Sequence, residues 1–209
     1  NNSGGYNTII GSLAGKSTTS SYNTAVGYKA LFANTTGQNV ALGSNALVAN
    51  TTGTGNLAFG MSALFANISG NYNIAVGHNV LSTNTGASNT GIGYNALVAN
   101  TTGAFNIGIG ENVGGTAATG TYNVLVGAQT ASGLTSGGKN TILGSQIASG
   151  NVSNNIILGD GDGVVRLQFS STGVLSLTGP AVTASIATAS TNKVAVTIGG
   201  VAYFMLLTT

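Results

Sequence analysis

Short bursts of apolar residues, each opened by Asn and closed by Gly, recur along most of this chain. The pattern Asn-x-x-x-Gly occurs ten times between Asn7 and Gly159, at intervals of 15 to 17 residues. The copies open at Asn7, Asn23, Asn39, Asn56, Asn73, Asn89, Asn106, Asn123, Asn140 and Asn155. Their three inner residues are short and β-prone, as in Thr8-Ile9-Ile10, Val40-Ala41-Leu42 and Ile74-Ala75-Val76. Period-two alternation puts the first and third of these on one face of a strand. The Asn, the middle residue and the Gly go to the other. The third position is always large and apolar, from Ile10, Val26 and Leu42 to Leu143 and Leu158. The middle position is small in the central copies (Ala25, Ala41, Ala58, Ala75, Gly91, Gly108) and large at the ends (Ile9, Leu125, Ile142, Ile157). Both faces are therefore apolar, and the pattern leaves either one free to fill an interior.

A second apolar column follows each Gly: Ala30-Leu31, Ala46-Leu47, Ala63-Leu64, Val80-Leu81 and Ala96-Leu97. Polar turns such as Asn34-Thr35-Thr36-Gly37 and Asn100-Thr101-Thr102-Gly103 then lead to the next copy. Fixed-period self-similarity means one small unit stacked on copies of itself. A unit of this length is too short for a helix pair or a propeller blade, and suits one coil of a β-solenoid with two short strands. The fold class expected is all-β: a parallel β-solenoid or β-roll of about ten coils, roughly 45–50 Å long at about 4.8 Å per coil. Stacked Asn side chains are expected to pair into a ladder, and Gly to supply positive φ at the corner.

The beat stops after Gly159. Asp160-Gly161-Asp162-Gly163 reads as a turn, followed by a hairpin of strands around Val165–Phe169 and Val174–Leu177. An Ala/Thr/Ser-rich connector from Pro180 to Asn192 leads to a second hairpin, 193–198 and 201–209, turned at Gly199-Gly200. This divides the chain into a solenoid domain, 1–160, and a C-terminal hairpin tip, 161–209. The tip would cap the last coil, and its strand Tyr203–Leu207, apolar on both faces, would lie buried between chains.

So small a coil cannot hide two apolar faces, and large exposed apolar surface signals association. Cyclic symmetry about the long axis gives every copy the same partner surface. A homotrimer is expected, and a dimer satisfies the same argument.

Composition removes several function classes. The five basic and three acidic side chains give a net charge of +2 and never cluster, which is no footprint for nucleic acid or an anionic membrane. No apolar run approaches the roughly 18 residues of a membrane span, so neither partner is expected. With no cysteine there is no disulfide or thiolate site. The start at Asn1, without a signal-like region, is expected of a fragment or a processed product.

Candidate chemistry is sparse, and no enzyme or cofactor is expected. The acids are Glu111, Asp160 and Asp162. Asp160 and Asp162 are a weak Ca²⁺ candidate that would need several more oxygen ligands, and shaping a turn is the simpler role. His78 occupies a corner position held in other copies by Tyr28, Ser44, Met61 and Tyr94. That variability points to a surface position rather than a general base or metal ligand. Gly91-Ile92-Gly93 and Gly108-Ile109-Gly110 belong to the repeat and lack the helix that a dinucleotide loop requires. Recognition is expected on residues that vary between copies, with Tyr28, His78, Tyr94 and Glu111 as candidates for receptor binding, or at the tip where the beat stops. Tyr6, Tyr22, Tyr72, Phe105 and Tyr122, before the Asn, are expected to pack on the ladder.

The runs Thr24-Ala25-Val26-Gly27, Val40-Ala41-Leu42-Gly43 and Ile74-Ala75-Val76-Gly77 resemble the Val-Ala-Ile-Gly core of head repeats in trimeric autotransporter adhesins. Over about residues 5 to 160 that resemblance implies a left-handed parallel β-roll assembled as a trimer. The units here are slightly longer, Asn stands where that family has Ser, and no coiled-coil stalk or membrane-anchor barrel follows. The longer wording, Tyr22-Asn23-Thr24-Ala25-Val26-Gly27 through Ala30-Leu31 to Asn34-Thr35-Thr36-Gly37, is similar to repeats of bacteriophage tail fibres, notably those of cyanophages. So is the ending Lys193 to Phe204. This implies the distal part of a trimeric fibre on a virion, joined to other tail proteins. Its partner would be a glycan or an outer-membrane protein of the host surface. No receptor-binding residue carries over. The runner-up is a cell-surface adhesin or extracellular filament subunit built from the same roll. A polysaccharide-degrading spike would require carboxylates brought together by assembly, with Glu111 paired across chains.

Overall fold

A computed structural model of the chain describes residues 5–147, 150–177, 191–198 and 201–208. Among them there is no helix, and all strands join one sheet in sequence order. Ten short strands form the stack: β1 (Thr8–Ile10), β2 (Thr24–Val26), β3 (Val40–Leu42), β4 (Leu57–Phe59) and β5 (Ile74–Val76), then β6 (Thr90–Ile92), β7 (Ile107–Ile109), β8 (Val124–Val126), β9 (Thr141–Leu143) and β10 (Ile156–Gly159). Each pairs in parallel with the next, equivalent residue on equivalent residue, as Ala41 on Ala58 and Ala58 on Ala75. The chain is thus a parallel β-solenoid of about nine turns. Ten rungs have nine spacings, so the stack is about 43 Å long at 4.8 Å per spacing.

The interior belongs to the middle strand position and to the Asn. Ala41, Ala58 and Ala75 are fully buried, as are Asn39, Asn73 and Asn89. The large third position faces outward, leaving Ile10, Leu42, Phe59 and Ile92 exposed. This settles which apolar face fills the coil.

The opposite wall differs from expectation. Each coil has one strand, not two, because alternate residues on the far side have positive φ and leave the β region. Lys29 and Leu31, Asn45 and Leu47, and Ser62 and Leu64 all lie between 50° and 58°. The backbone there still bonds from coil to coil. Asn45 N donates to Tyr28 O of the preceding coil (2.8 Å), and Leu47 N to Ala63 O of the following one (3.0 Å). An L-residue in this region is strained by about 1–2 kcal/mol. Those bonds, with complete burial of Leu31, Leu47, Leu64, Leu81 and Leu97, hold it there.

The asparagine ladder forms as expected. Asn73 N donates to Asn56 Oδ1 (2.9 Å), and Asn73 Nδ2 donates to the same oxygen (3.2 Å) and to Gly86 O (2.9 Å). The same arrangement runs down the rungs to Asn140. The corner Gly is needed twice over. Gly60 has φ 140°, and a Cβ there would lie 2.2 Å from Gly77 O of the next coil.

Beyond β10 the pairing turns antiparallel. β11 (Val165–Phe169) lies on β10, and β12 (Leu175–Leu177) returns along β11, so the expected hairpin forms and occupies the open edge of the last rung. β13 (Thr191–Ile198) and β14 (Val201–Thr208) form the second hairpin, joined in parallel to β12. It starts two residues before the expected Lys193. The connector over 178–190, the turn at 199–200 and the side chains of the last strand lie outside the described residues.

Candidate functional site

The one-to-one register lines up four of the candidate residues. Tyr28, His78, Tyr94 and Glu111 each follow the Gly corner of their coil, on one column that also carries Ser44 and Met61. Tyr28, Tyr94 and Glu111 are exposed, and His78 is half-buried. The His78 and Tyr94 rings stack with centroids 5.4 Å apart and planes 9° from parallel. The inner edge of His78 sits against the coil, where its Nδ1 has no hydrogen-bond partner. Lys29 Nζ lies 5.3 Å from the centroid of Tyr28, a cation–π distance. Glu111 Oε1 accepts a bond from Asn112 Nδ2 (3.2 Å), so its nearest polar contact is its own neighbour.

A second column runs along the other edge of the strand face, at the residue before each Asn. Tyr6, Tyr22, Tyr72, Phe105 and Tyr122 are all at least half exposed there. Coil spacing stacks them in pairs, Tyr6 on Tyr22 (5.2 Å) and Phe105 on Tyr122 (4.9 Å). Tyr72 lies over Gly55, where a Cβ would come within 2.7 Å of the ring. Four of the five rings thus pack in pairs and Tyr72 packs on backbone, and all five stay at least half exposed. Lower on the same edge, a cleft of about 240 Å³ is lined by Thr121, Gly138, Lys139, Ser153 and Asn154. No sequence signal marks it, because three successive coils contribute to it.

Asp160 is occupied. Its Oδ1 accepts from Asp162 N and Val164 N (both 3.0 Å), and its Oδ2 from Arg166 Nε (2.7 Å). The Val164 amide, foremost, holds its carboxyl below the usual value. Partial desolvation opposes this, and Arg166 and the Asp162 amide reinforce it. With both oxygens engaged, the carboxylate shapes the turn and offers a cation little. Among the described residues no three His, Cys, Asp or Glu side chains gather at one point.

Two further asparagine columns recur at the same spacing of 16 or 17 residues and form ladders that the turn-like reading of their segments does not anticipate. Asn34, Asn50, Asn67, Asn84 and Asn100 are fully buried in the polar turns. Asn67 Nδ2 donates to Asn50 Oδ1 (3.0 Å) and to Gly70 O (3.0 Å). The ladder breaks below Asn67, whose Oδ1 is unpaired. There the turn Asn84-Thr85-Gly86 is one residue shorter than Asn67-Ile68-Ser69-Gly70, and Asn84 Nδ2 donates to Gly86 O (2.9 Å) without reaching Asn67 Oδ1. Asn79, Asn95 and Asn112 form a third, partly buried ladder at 3.0 and 3.1 Å. The repeated polar residues thus bind each other.

Compared with protein-family models, curated proteins and solved structures, the chain matches none of them.

Proposed function

We propose that this chain is a non-enzymatic structural and attachment protein, the distal part of a trimeric, left-handed phage tail fibre that touches a host surface receptor. One observation carries the reading: the stack spends its repeated polar groups on itself, and beyond its buried Ala and Leu core turns a second apolar strand face and a column of aromatic rings outward. The strand face alone, about 43 Å by 10 Å, is on the order of 400 Å², with an aromatic column along one edge and Tyr28, His78 and Tyr94 among mixed residues along the other. Together they exceed the roughly 300–600 Å² of the largest apolar patch on ordinary monomers. A second copy is the natural cover for a flat surface with the same repeat as itself. A rod built this way would present many copies of weak contacts, which trimerisation would make avid.

Assembly and attachment have separate tests. Phe59 is half exposed at the centre of the outward face, so Phe59→Glu should leave the monomer's stability within about 0.5 kcal/mol. It should shift the mass by light scattering from trimer to monomer with an unchanged circular dichroism spectrum. A well-folded wild-type monomer would sink the assembly reading. For attachment, the purified chain should adsorb to cells of a candidate host and block phage infection. Adsorption without any block of infection would favour the cell-surface adhesin built from the same roll.

A further inference from the structure

We propose that the cleft around Lys139 binds an acidic saccharide unit, a uronate or sialate of a surface polysaccharide. The proposal rests on the attachment reading and gives it a site. It begins from the cations. Lys16 Nζ lies 5.4 Å from the ring centroid of Phe32, and Lys29 is 5.3 Å from that of Tyr28. Arg166 is paired with Asp160 at 2.5 Å. Among the cations whose side chains are described, Lys139 is the one engaged by neither a ring nor a carboxylate. It is exposed, and it lines the cleft.

The surroundings of Lys139 are hydroxyl and amide groups on a fixed backbone. Lys139 N donates to Thr121 O (2.8 Å), Asn154 N to Gly138 O (2.9 Å), and Gly138 N to Ser153 Oγ (3.0 Å). Ser153 therefore keeps its own proton for a ligand, and Thr121 and Asn154 add a hydroxyl and an amide side chain. One rung away on the same column stands Tyr122, backed by Phe105 at 4.9 Å. An exposed aromatic face suits the apolar face of a sugar ring, and the polar lining suits its hydroxyls. A single cation suits one carboxylate. A phosphate site draws on several cations or a nest of amides, and a nucleic-acid strand on a longer basic track. At about 240 Å³ the cleft is below the roughly 300–1,000 Å³ of sites for drug-sized molecules. One sugar unit is the ligand of that size.

The test uses the intact chain and trisaccharides of galacturonate, glucuronate and sialate, followed by ligand-observed NMR and by titration. At least one acid should bind saturably, and its neutral methyl ester should bind about tenfold or more weakly, as expected for loss of a charged hydrogen bond. Lys139→Gln should lose affinity for the acid to the same degree, with an unchanged circular dichroism spectrum. Tyr122→Ala should weaken acid and ester alike. Three results would overturn the site: no acid-dependent binding, a Lys139→Gln chain that binds as the wild type does, or displacement of the saccharide by equimolar inorganic phosphate. Cell adsorption separates the two proposals. A Lys139→Gln chain that still adsorbs as the wild type does overturns the site and leaves attachment standing. Saccharide binding that depends on Lys139, in a wild-type chain that adsorbs to no host, supports the site and overturns attachment.

Discussion

The central coils and the end coils enclose the same cross-section and fill it from opposite walls. In β3, β4 and β5 the strand contributes Ala41, Ala58 and Ala75, and the far wall contributes Leu47, Leu64 and Leu81. In the first coil the sizes are exchanged: Ile9 comes from the strand and Gly15 from the far wall, where a Cβ would lie 2.5 Å from Ile9 Cδ1. Leu125 faces Ala131 in the same sense near the other end. Between the two regimes Gly108 and Gly114 are both side-chain-free. Leu97 and Leu125 from the adjacent rungs close the gap, with Leu97 within 2.8 Å of a Cβ at either glycine. The repeat therefore conserves interior volume while the residue at each position is free to change. The asparagine ladder has no such freedom, since each rung needs the same donor and acceptor at the same place.

That contrast can be broken most completely through the ladder. Asn34, Asn50, Asn67 and Asn100 each open an Asn-x-Ser/Thr sequence, the acceptor motif of N-glycosylation, and each is fully buried. Passed through a eukaryotic secretory pathway, the chain should acquire glycans before it folds and then be unable to close its coils. The expected product is retained or aggregated, and enzymatic deglycosylation should show several occupied sites. A secreted, folded chain carrying glycan at these four positions would show that the turn ladder is dispensable. Asn73→Ala is the graded version. It orphans Asn89 N, takes from Asn89 Nδ2 the weakest of its three acceptors and leaves a buried cavity, and should lower stability by about 2–4 kcal/mol in urea.

The volume rule predicts rescue where the ladder predicts none. Ala58→Ile overfills a central coil and should be destabilising by about 1–3 kcal/mol. Leu64→Gly empties it at a loss of about 2–5 kcal/mol. Together they recreate the Ile9 and Gly15 arrangement and also relieve the positive φ of Leu64. The double variant should be more stable than the sum of its parts by about 0.5–3 kcal/mol. Strict additivity would mean that the end coils are filled by some rule other than volume.

How much of this could be read from the sequence follows from the same contrast. A position that repeats is visible, so the coil, its corner Gly and its first Asn ladder were all legible at the beat. Position within the cross-section was not, because an apolar first or third residue looks the same whether it fills a core or covers a surface. Asn34 and Asn50 read as turn residues, since Asn-Thr-Thr-Gly is turn-like whatever its Asn side chain contacts. The far wall looked like a strand because Ala-Leu pairs are apolar, and nothing in Leu31 or Leu47 announces a positive φ. The corner column of Tyr28, His78, Tyr94 and Glu111 was legible by its variation. The Lys139 cleft was not, because its lining comes from three coils.

The smallest expected effect distinguishes the stack from the turn that ends it. Among the described residues, the fully buried side chains of the stack are apolar or uncharged Asn and Thr, so acid finds no buried carboxylate inside it. Asp160 is different. Its carboxyl is held below the ordinary 3.8, chiefly by the Val164 amide. A depressed value means that the folded turn favours the carboxylate. Its contribution is complete above 3.8 and fades as pH falls below that, toward the lower folded value. In NMR, the amides of Asp162 and Val164 should shift together with a midpoint below 3.8, while those of Asn56 and Asn73 stay still. Asp160→Asn should abolish the transition and leave the ladder amides untouched. Ladder amides that move with the turn would mean that protonation of Asp160 is felt along the stack, and that the two regions respond as one.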